Sequence, residues 1–386
     1  NMIQNAKDQA AALAMAAYKA AAADGTLPEA EVKIAPVEIP KDTANGDYTT
    51  TFCLAASKAM RKNPREVAKI LTEHMDLSDT YFTSVEIAGP GFLNFRLGDK
   101  WYADVLTAVE EEKGDYGRDN WLDGKKYMVE FVSANPTGPM TIGNARGGVL
   151  GDALASVLDR AGYNVWREFY VNDAGNQVDL FGKSIEARYL QLIQGEDAVE
   201  FPDNGYHGDD IRELAKLIYE RDGDKYLTMP SAERCAAFVA FGLPYNIARM
   251  QRDLERYRIH FDQWFLESSL HSSGYVTETV QLLVDAGLTY EKDGALWFKS
   301  TDYGDEKDRV LRKSDGTFSY LTPDIANHVY KVERGYPLLV NLWGADHHSY
   351  VTRMQNALTA LGYPEGTLSI DLIQMVRMVE DGKEVK

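Results

Sequence analysis

Between residues 126 and 171 the chain reads as an apolar strand (127–133), a Pro/Gly-rich turn (135–139), a long helix (144–161) and a second strand (164–171). A strand, a glycine-bearing turn, a helix and another strand form the opening of a doubly wound parallel sheet, and few other folds accept that order. The alternation then pauses. Residues 176–290 read as a mostly helical, polar insertion with a turn-rich break at 202–208. It resumes near Arg309, with strands at 310–312 and 318–321, a helix at 324–334, a strand at 338–343, a helix at 350–361 and a strand pair around Asp381-Gly382. The expected class is α/β: two Rossmann-like halves separated by a helical insertion.

Upstream lies a different texture. Residues 3–23 form an Ala-rich helix closed by Gly25, and 32–39 alternate like a strand. Asn63 and Pro64 are an N-cap and first-position pair, and 85–97 read as two strands around Gly89-Pro90-Gly91. A helix at 101–113 leads out. These pieces make a small α+β domain over 1–112, leaving 113–386 for the α/β domain. At 386 residues, two domains are also what core size predicts.

Composition narrows the function classes. The net charge of -18 argues against general nucleic-acid binding, although a local basic stripe on an acidic body would still serve. Two cysteines in no metal-like spacing point to a reducing compartment and no bound metal. No apolar run approaches the ~20 residues that span a bilayer. The expected location is the cytoplasm, without membrane contact.

The stretch Ser133-Ala134-Asn135-Pro136-Thr137-Gly138-Pro139-Met140-Thr141-Ile142-Gly143-Asn144 joins the first strand to its helix. Backbone N–H groups and the helix dipole favour anions there, and Gly143 lets a flat ring lie against the main chain. On turn chemistry alone, a ligand site and a plain Gly/Pro turn are equally good readings. Asp324 by itself is an ordinary acid at a helix start, and Tyr320 an ordinary strand aromatic.

This stretch resembles the signature S-x-N-P-T-G-P-x-H-x-G-H/N of the arginyl branch of class I aminoacyl-tRNA synthetases. Arg146-Gly147-Gly148 through Asp152, Tyr170 through Gly175, Ile87 through Phe95, and Trp343-Gly344-Ala345-Asp346-His347-His348 extend the likeness in the same order. The resemblance implies a small N-terminal α+β domain that touches tRNA, ahead of a Rossmann-like catalytic domain. It implies substrates arginine and ATP with Mg²⁺, the partner tRNA(Arg), and a monomer.

Carried over residue by residue, Thr141 and Asn144 take the catalytic positions. Pro139, Thr141, Gly143, Asn144, Gly344, Asp346 and His347 would hold ATP. Glu130, Asn135, Tyr320 and Asp324 would hold arginine: Asp324 and Glu130 the guanidinium, Asn135 the polar backbone end, Tyr320 a wall. Thr141 stands where the family has its first signature histidine. It keeps a single O–H donor and no cationic form, which lowers what it can give a developing charge. The resemblance also implies that the chain stops before the anticodon-binding domain, with Lys386 as the first lysine of the K-M-S-K-S-like loop. Such a chain should bind its small substrates and charge tRNA poorly. Two other readings stay open: a small-molecule ligase of the same superfamily, and a tRNA-binding protein without catalysis.

Overall fold

In a computed structural model, residues 2–374 and 376–385 are described, and they divide into two compact units, Asn1–Asp119 and Asn120–Lys386. The division falls a few residues beyond the expected 112/113 boundary.

The first unit combines helices with a four-stranded antiparallel sheet. It runs α1 (Met2–Ala23), β1 (Val37–Glu38), β2 (Tyr48–Thr50), α2 (Phe52–Met60), α3 (Pro64–Glu73), β3 (Phe82–Ala88), β4 (Phe92–Leu97) and α4 (Asp99–Glu112), with strand order β1-β2-β4-β3. Helix α1 buries Ala6, Ala10, Ala14, Ala17 and Ala21, a helically spaced stripe of small side chains, in a core with Phe52, Leu71, Leu93 and Phe95. Asn63 caps α3 as its type predicts, its side-chain oxygen accepting from the Arg65 N–H at 2.9 Å. The strand expected over 32–39 shrinks to Val37–Glu38, where Val37 pairs with Thr50.

The second unit is built on a five-stranded, all-parallel sheet in the order β12-β11-β5-β6-β7. Its elements are β5 (Lys126–Glu130), α5 (Ile142–Arg160), β6 (Asn164–Val171), α6 (Asn176–Gln194), α7 (Asp209–Asp222), α8 (Ser231–Arg256), β7 (Gln263–Leu266), α9 (Glu267–Ser272) and α10 (Tyr275–Asp285). There follow β8 (Thr289–Lys292), β9 (Ala295–Phe298), β10 (Arg309–Arg312), α11 (Leu321–Glu333), β11 (Leu338–Gly344), α12 (His348–Ala360), β12 (Leu368–Ile373), β13 (Met378–Glu380) and β14 (Lys383–Val385).

Three expectations need correction. The helical insertion over 176–290 conceals β7, an edge strand of the main sheet, so the helical part proper is α6 to α8 around its own core of Phe181, Tyr189, Ile218 and Phe238. The strand expected at 318–321 is a single bridge from Phe318 to Arg312, and α11 begins at Leu321. Finally, β8, β9 and β10 form a separate antiparallel sheet.

The chain leaves β5 toward β6 on one side and returns to its other side with β11. This reversal of direction opens a crevice at the carboxyl ends of β5 and β11, the place where such sheets hold ligands.

Candidate active site

Strand β5 ends abruptly at Glu130. Two residues later Val132 (φ 66°) and Ser133 (φ 41°) enter the left-handed region, which is costly for a β-branched side chain. The turn is held because Ser133 Oγ accepts from the Tyr170 N–H at 3.1 Å, and the Ser133 N–H reaches the Phe131 carbonyl at 2.9 Å. Asn246 Nδ2 donates to the Pro136 carbonyl at 2.8 Å, so α8 steadies the same loop. Helix α5 then approaches the sheet closely: a Cβ added at Gly151 would overlap Phe131. Above this floor lies a cavity of about 700 Å³ lined from both halves of the fold.

At one end of the cavity stands a polar face of α11. Asp324, Asn327, His328 and Lys331 recur at i, i+3, i+4 and i+7 and so share one side of the helix. Asp324 is largely sunk in the protein, and it lines the cavity. The Tyr350 hydroxyl donates to its Oδ2 at 2.7 Å. Burial pushes its carboxyl up to about 7, against the pull of that hydrogen bond, and the neighbouring Glu267 and Glu130 add to the rise.

His328 is kept neutral. Burial, then Lys331, push it down to about 4. Its Nδ1 donates to the Asp324 carbonyl and its Nε2 accepts from Asn341 Nδ2, both at 2.7 Å, the arrangement a neutral ring allows. Glu130 is buried and ion-paired with Lys331, which is itself completely buried. The side-chain oxygen of Asn327 is buried beside the same space without a hydrogen-bond partner among the described residues, and the buried Tyr170 hydroxyl faces Glu267.

The expected residues are distributed unevenly. Glu130, Asn135 and Asp324 all line the cavity, Asn135 at its exposed rim. Tyr320 does not: it is 72% exposed and lines a neighbouring cavity with Trp297 and Arg309. Ser319 Oγ donates to the Val310 carbonyl and Thr322 Oγ1 to the Leu311 carbonyl, so the start of α11 is tied to β10 and Tyr320 goes with it. Tyr350 lines both spaces.

At the other end, Pro139, Thr141, Asn144, Gly344 and His347 line the cavity. Gly143 lies in the first turn of α5 between them. Asp346 is not in the lining; it is exposed and sits 3.7 Å from His347 Nε2. Thr141 is the N-cap of α5 and forms a reciprocal capping box with Asn144. The Asn144 N–H donates to Thr141 Oγ1 at 3.3 Å, while the Thr141 N–H and hydroxyl reach Asn144 Oδ1 at 2.9 and 3.0 Å. The threonine hydrogen is thus spent inside the cap. Donors at this end are the backbone amides of α5 and the Asn144 side-chain N–H groups.

Sequence reasoning passed over Tyr350, Asn327, His328, Lys331 and Tyr170. The four polar positions of α11 were legible as a stripe at helical spacing; Tyr350 carried no signal beyond being aromatic, and Tyr170 only its place in a segment that resembles the family. Lys386 lies outside the described residues. No cluster of three or more metal-ligating side chains occurs among the described residues, and no described helix is long and apolar enough to cross a membrane.

Known proteins resemble this chain over its whole length. The family profile described as arginyl tRNA synthetase N terminal domain matches residues 8–97, and that described as tRNA synthetases class I (R), catalytic domain, matches 106–386. An arginine–tRNA ligase of Ruminiclostridium cellulolyticum is 52% identical over 93% of this chain and 64% of its own length. One of Acetivibrio thermocellus is 47% identical over 99% of this chain and 68% of its own. The chain therefore spans about two thirds of the curated relatives it matches. The solved Thermus thermophilus arginyl-tRNA synthetase superposes with a TM-score of 0.54 at 20% identity, covering 94% of this chain and 65% of that one, a likeness of fold. With profiles matching both of its units and close relatives along nearly all of its length, the chain belongs to the arginyl-tRNA synthetases of class I.

Proposed function

We propose that this chain activates arginine with ATP and serves the charging of tRNA(Arg). The observation that carries this reading is Asp324, a sunken carboxylate open to the cavity, with a neutral hydroxyl as its donor and no ion pair among the described residues. A guanidinium is the ligand that such a group lacks: it is cationic at all relevant pH and presents forked N–H donors. The Asn327 side-chain oxygen offers a further acceptor beside it. Glu130 contributes field rather than a free carboxylate, since Lys331 already occupies it.

Arginine lying from Asp324 toward Asn135 carries its own carboxylate to the α5 end. ATP, with its Mg²⁺ brought on the phosphates, lies along Pro139, Gly143, Asn144, Gly344 and His347. The arginine carboxylate attacks the α-phosphate and pyrophosphate leaves; the terminal ribose hydroxyl of tRNA(Arg) then attacks the acyl carbon of the adenylate, the acyl–phosphate bond breaks and AMP leaves. The chain's part is positioning and electrostatic stabilisation by groups already in place. The first unit is proposed to contact tRNA, and the working form to be a cytoplasmic monomer.

The test is ATP–pyrophosphate exchange by the purified chain, with each amino acid in turn and with or without tRNA(Arg). Exchange that requires arginine is the expected result. Exchange driven by another amino acid, or none with arginine and tRNA(Arg) together, would overturn the proposal.

A further inference from the structure

Asp324 and Tyr350 come from different helices, α11 and α12, and meet through one hydrogen bond of 2.7 Å. Tyr350 is itself fixed from two sides. Its ring centroid lies 5.9 Å from that of Trp343, and the Arg353 guanidinium lies 5.9 Å over its face. Arg353 is in turn 3.9 Å from Asp305, which Arg309 also holds at 2.7 Å. The hydroxyl is therefore delivered by a braced side chain and not by a mobile one.

The charges around Asp324 are unbalanced. From β5 comes Glu130, from α9 Glu267, and from its own helix Lys331 and the neutral His328. Tyr170 of β6 and Tyr350 of α12 are un-ionised; burial drives both phenols well above their usual range. Lys331 is spent on Glu130. Burial likewise raises the Glu267 carboxyl, so this region keeps an excess of acid and stores it partly as bound protons. A cation arriving at Asp324 must meet an ionised carboxylate, and the group that favours ionisation most among its neighbours is the Tyr350 hydroxyl.

We propose that Tyr350 is a positioning residue for recognition of the arginine side chain: its hydroxyl orients Asp324 toward the cavity, and binding of the guanidinium exchanges for the Asp324 proton. This rests on the arginine reading above. The balance is simple: Asp324–COOH plus a guanidinium cation gives the carboxylate–guanidinium pair and one proton, which leaves to solvent. No bond to carbon changes.

Titration calorimetry of arginine into the full chain, from pH 5.5 to 9 and in two buffers of different ionisation enthalpy, tests this. The parent should release protons below about pH 7, with affinity rising with pH and levelling above it. In Tyr350→Phe the carboxyl loses its donor, so proton release and the rise in affinity should move to higher pH. For a shift of one unit, arginine should then bind roughly fivefold more weakly near pH 7, approaching tenfold well below it, and within about twofold of the parent at pH 9. The ¹³C chemical shift of the Asp324 carboxyl in the ligand-free protein should titrate correspondingly higher in the variant. A loss of affinity equal at every pH, or an unchanged Asp324 titration, would overturn the proposal. A parent that binds no arginine at any pH would overturn the arginine reading as well, and so separates the two failures.

Discussion

A carboxylate sunk away from water must find replacement partners or take up a proton. Asp324 has one neutral donor, and its carboxyl is pushed up to about 7 from an ordinary value near 3.8. The sign of the consequence is fixed: folding binds a proton at Asp324 that the unfolded chain gives up, so the contribution of this group to stability is fully present below about pH 4 and is lost as pH rises to 7. Asp324→Asn removes the titrating group. Relative to the parent it should gain stability with rising pH, by up to about 1.4 kcal/mol per unit across that window. Arginine binding should meanwhile drop by about 2–3 kcal/mol or more. Thermal melts between pH 4.5 and 8.5 check the first part, and parallel curves for the two proteins would refute it. Thr141 poses a different question, because its hydroxyl works inside the α5 cap. Thr141→Val should cost about 0.5–2 kcal/mol in urea unfolding, whereas Thr141→Ser should not. If the cap also serves catalysis, the valine variant will lose kcat in pyrophosphate exchange while its KM for arginine holds. A fall in stability with unchanged kcat would leave the residue a cap only.

Helix α5 depends on having nothing at Gly151, where Phe131 already occupies the space. Gly151→Ala should push α5 off β5, destabilise the second unit by about 1–3 kcal/mol and weaken arginine binding through the adjacent Glu130. Urea midpoints and calorimetry would measure both, and an alanine variant with parental values would mean the helix shifts freely. Most of α5 and β6 could be read from the sequence because apolar strand runs and a Pro/Gly-rich turn bracket the helix there. β7 could not. Gln263–Leu266 is four residues long and follows a 26-residue helix, and it gains strand character from pairing with β6 rather than from its own pattern. The site was legible where the chain is contiguous, from Glu130 to Asn144. Across α11 it was only half legible: Asp324 lines the same cavity as Glu130 and Asn135, whereas Tyr320 lines the neighbouring one. The difference lies in hydrogen bonds from Ser319 and Thr322 to β10, contacts that no local pattern encodes.

On the scale of the molecule, each unit carries a core of its own. The first gathers Phe52, Leu71, Leu93 and Phe95 under an alanine-faced helix, entirely within residues 1–119. That stretch expressed alone should unfold in urea as one cooperative transition. A gradual, non-cooperative loss of circular dichroism would show that it depends on the rest. The second unit differs in how long its parts must wait for each other. Glu130 and its buried partner Lys331 are 201 positions apart, and β5 acquires its second neighbour only when β11 is made. At the ribosome, roughly 5–20 residues emerge each second, so β5 stands for tens of seconds with one flank unpaired and a buried-type acid uncompensated. A holding chaperone would find its target there. β11, arriving late, closes the open flank of β5 and adds Leu342, Trp343 and Gly344 to the cavity proposed for arginine, so retained arginine would report that this unit had assembled correctly.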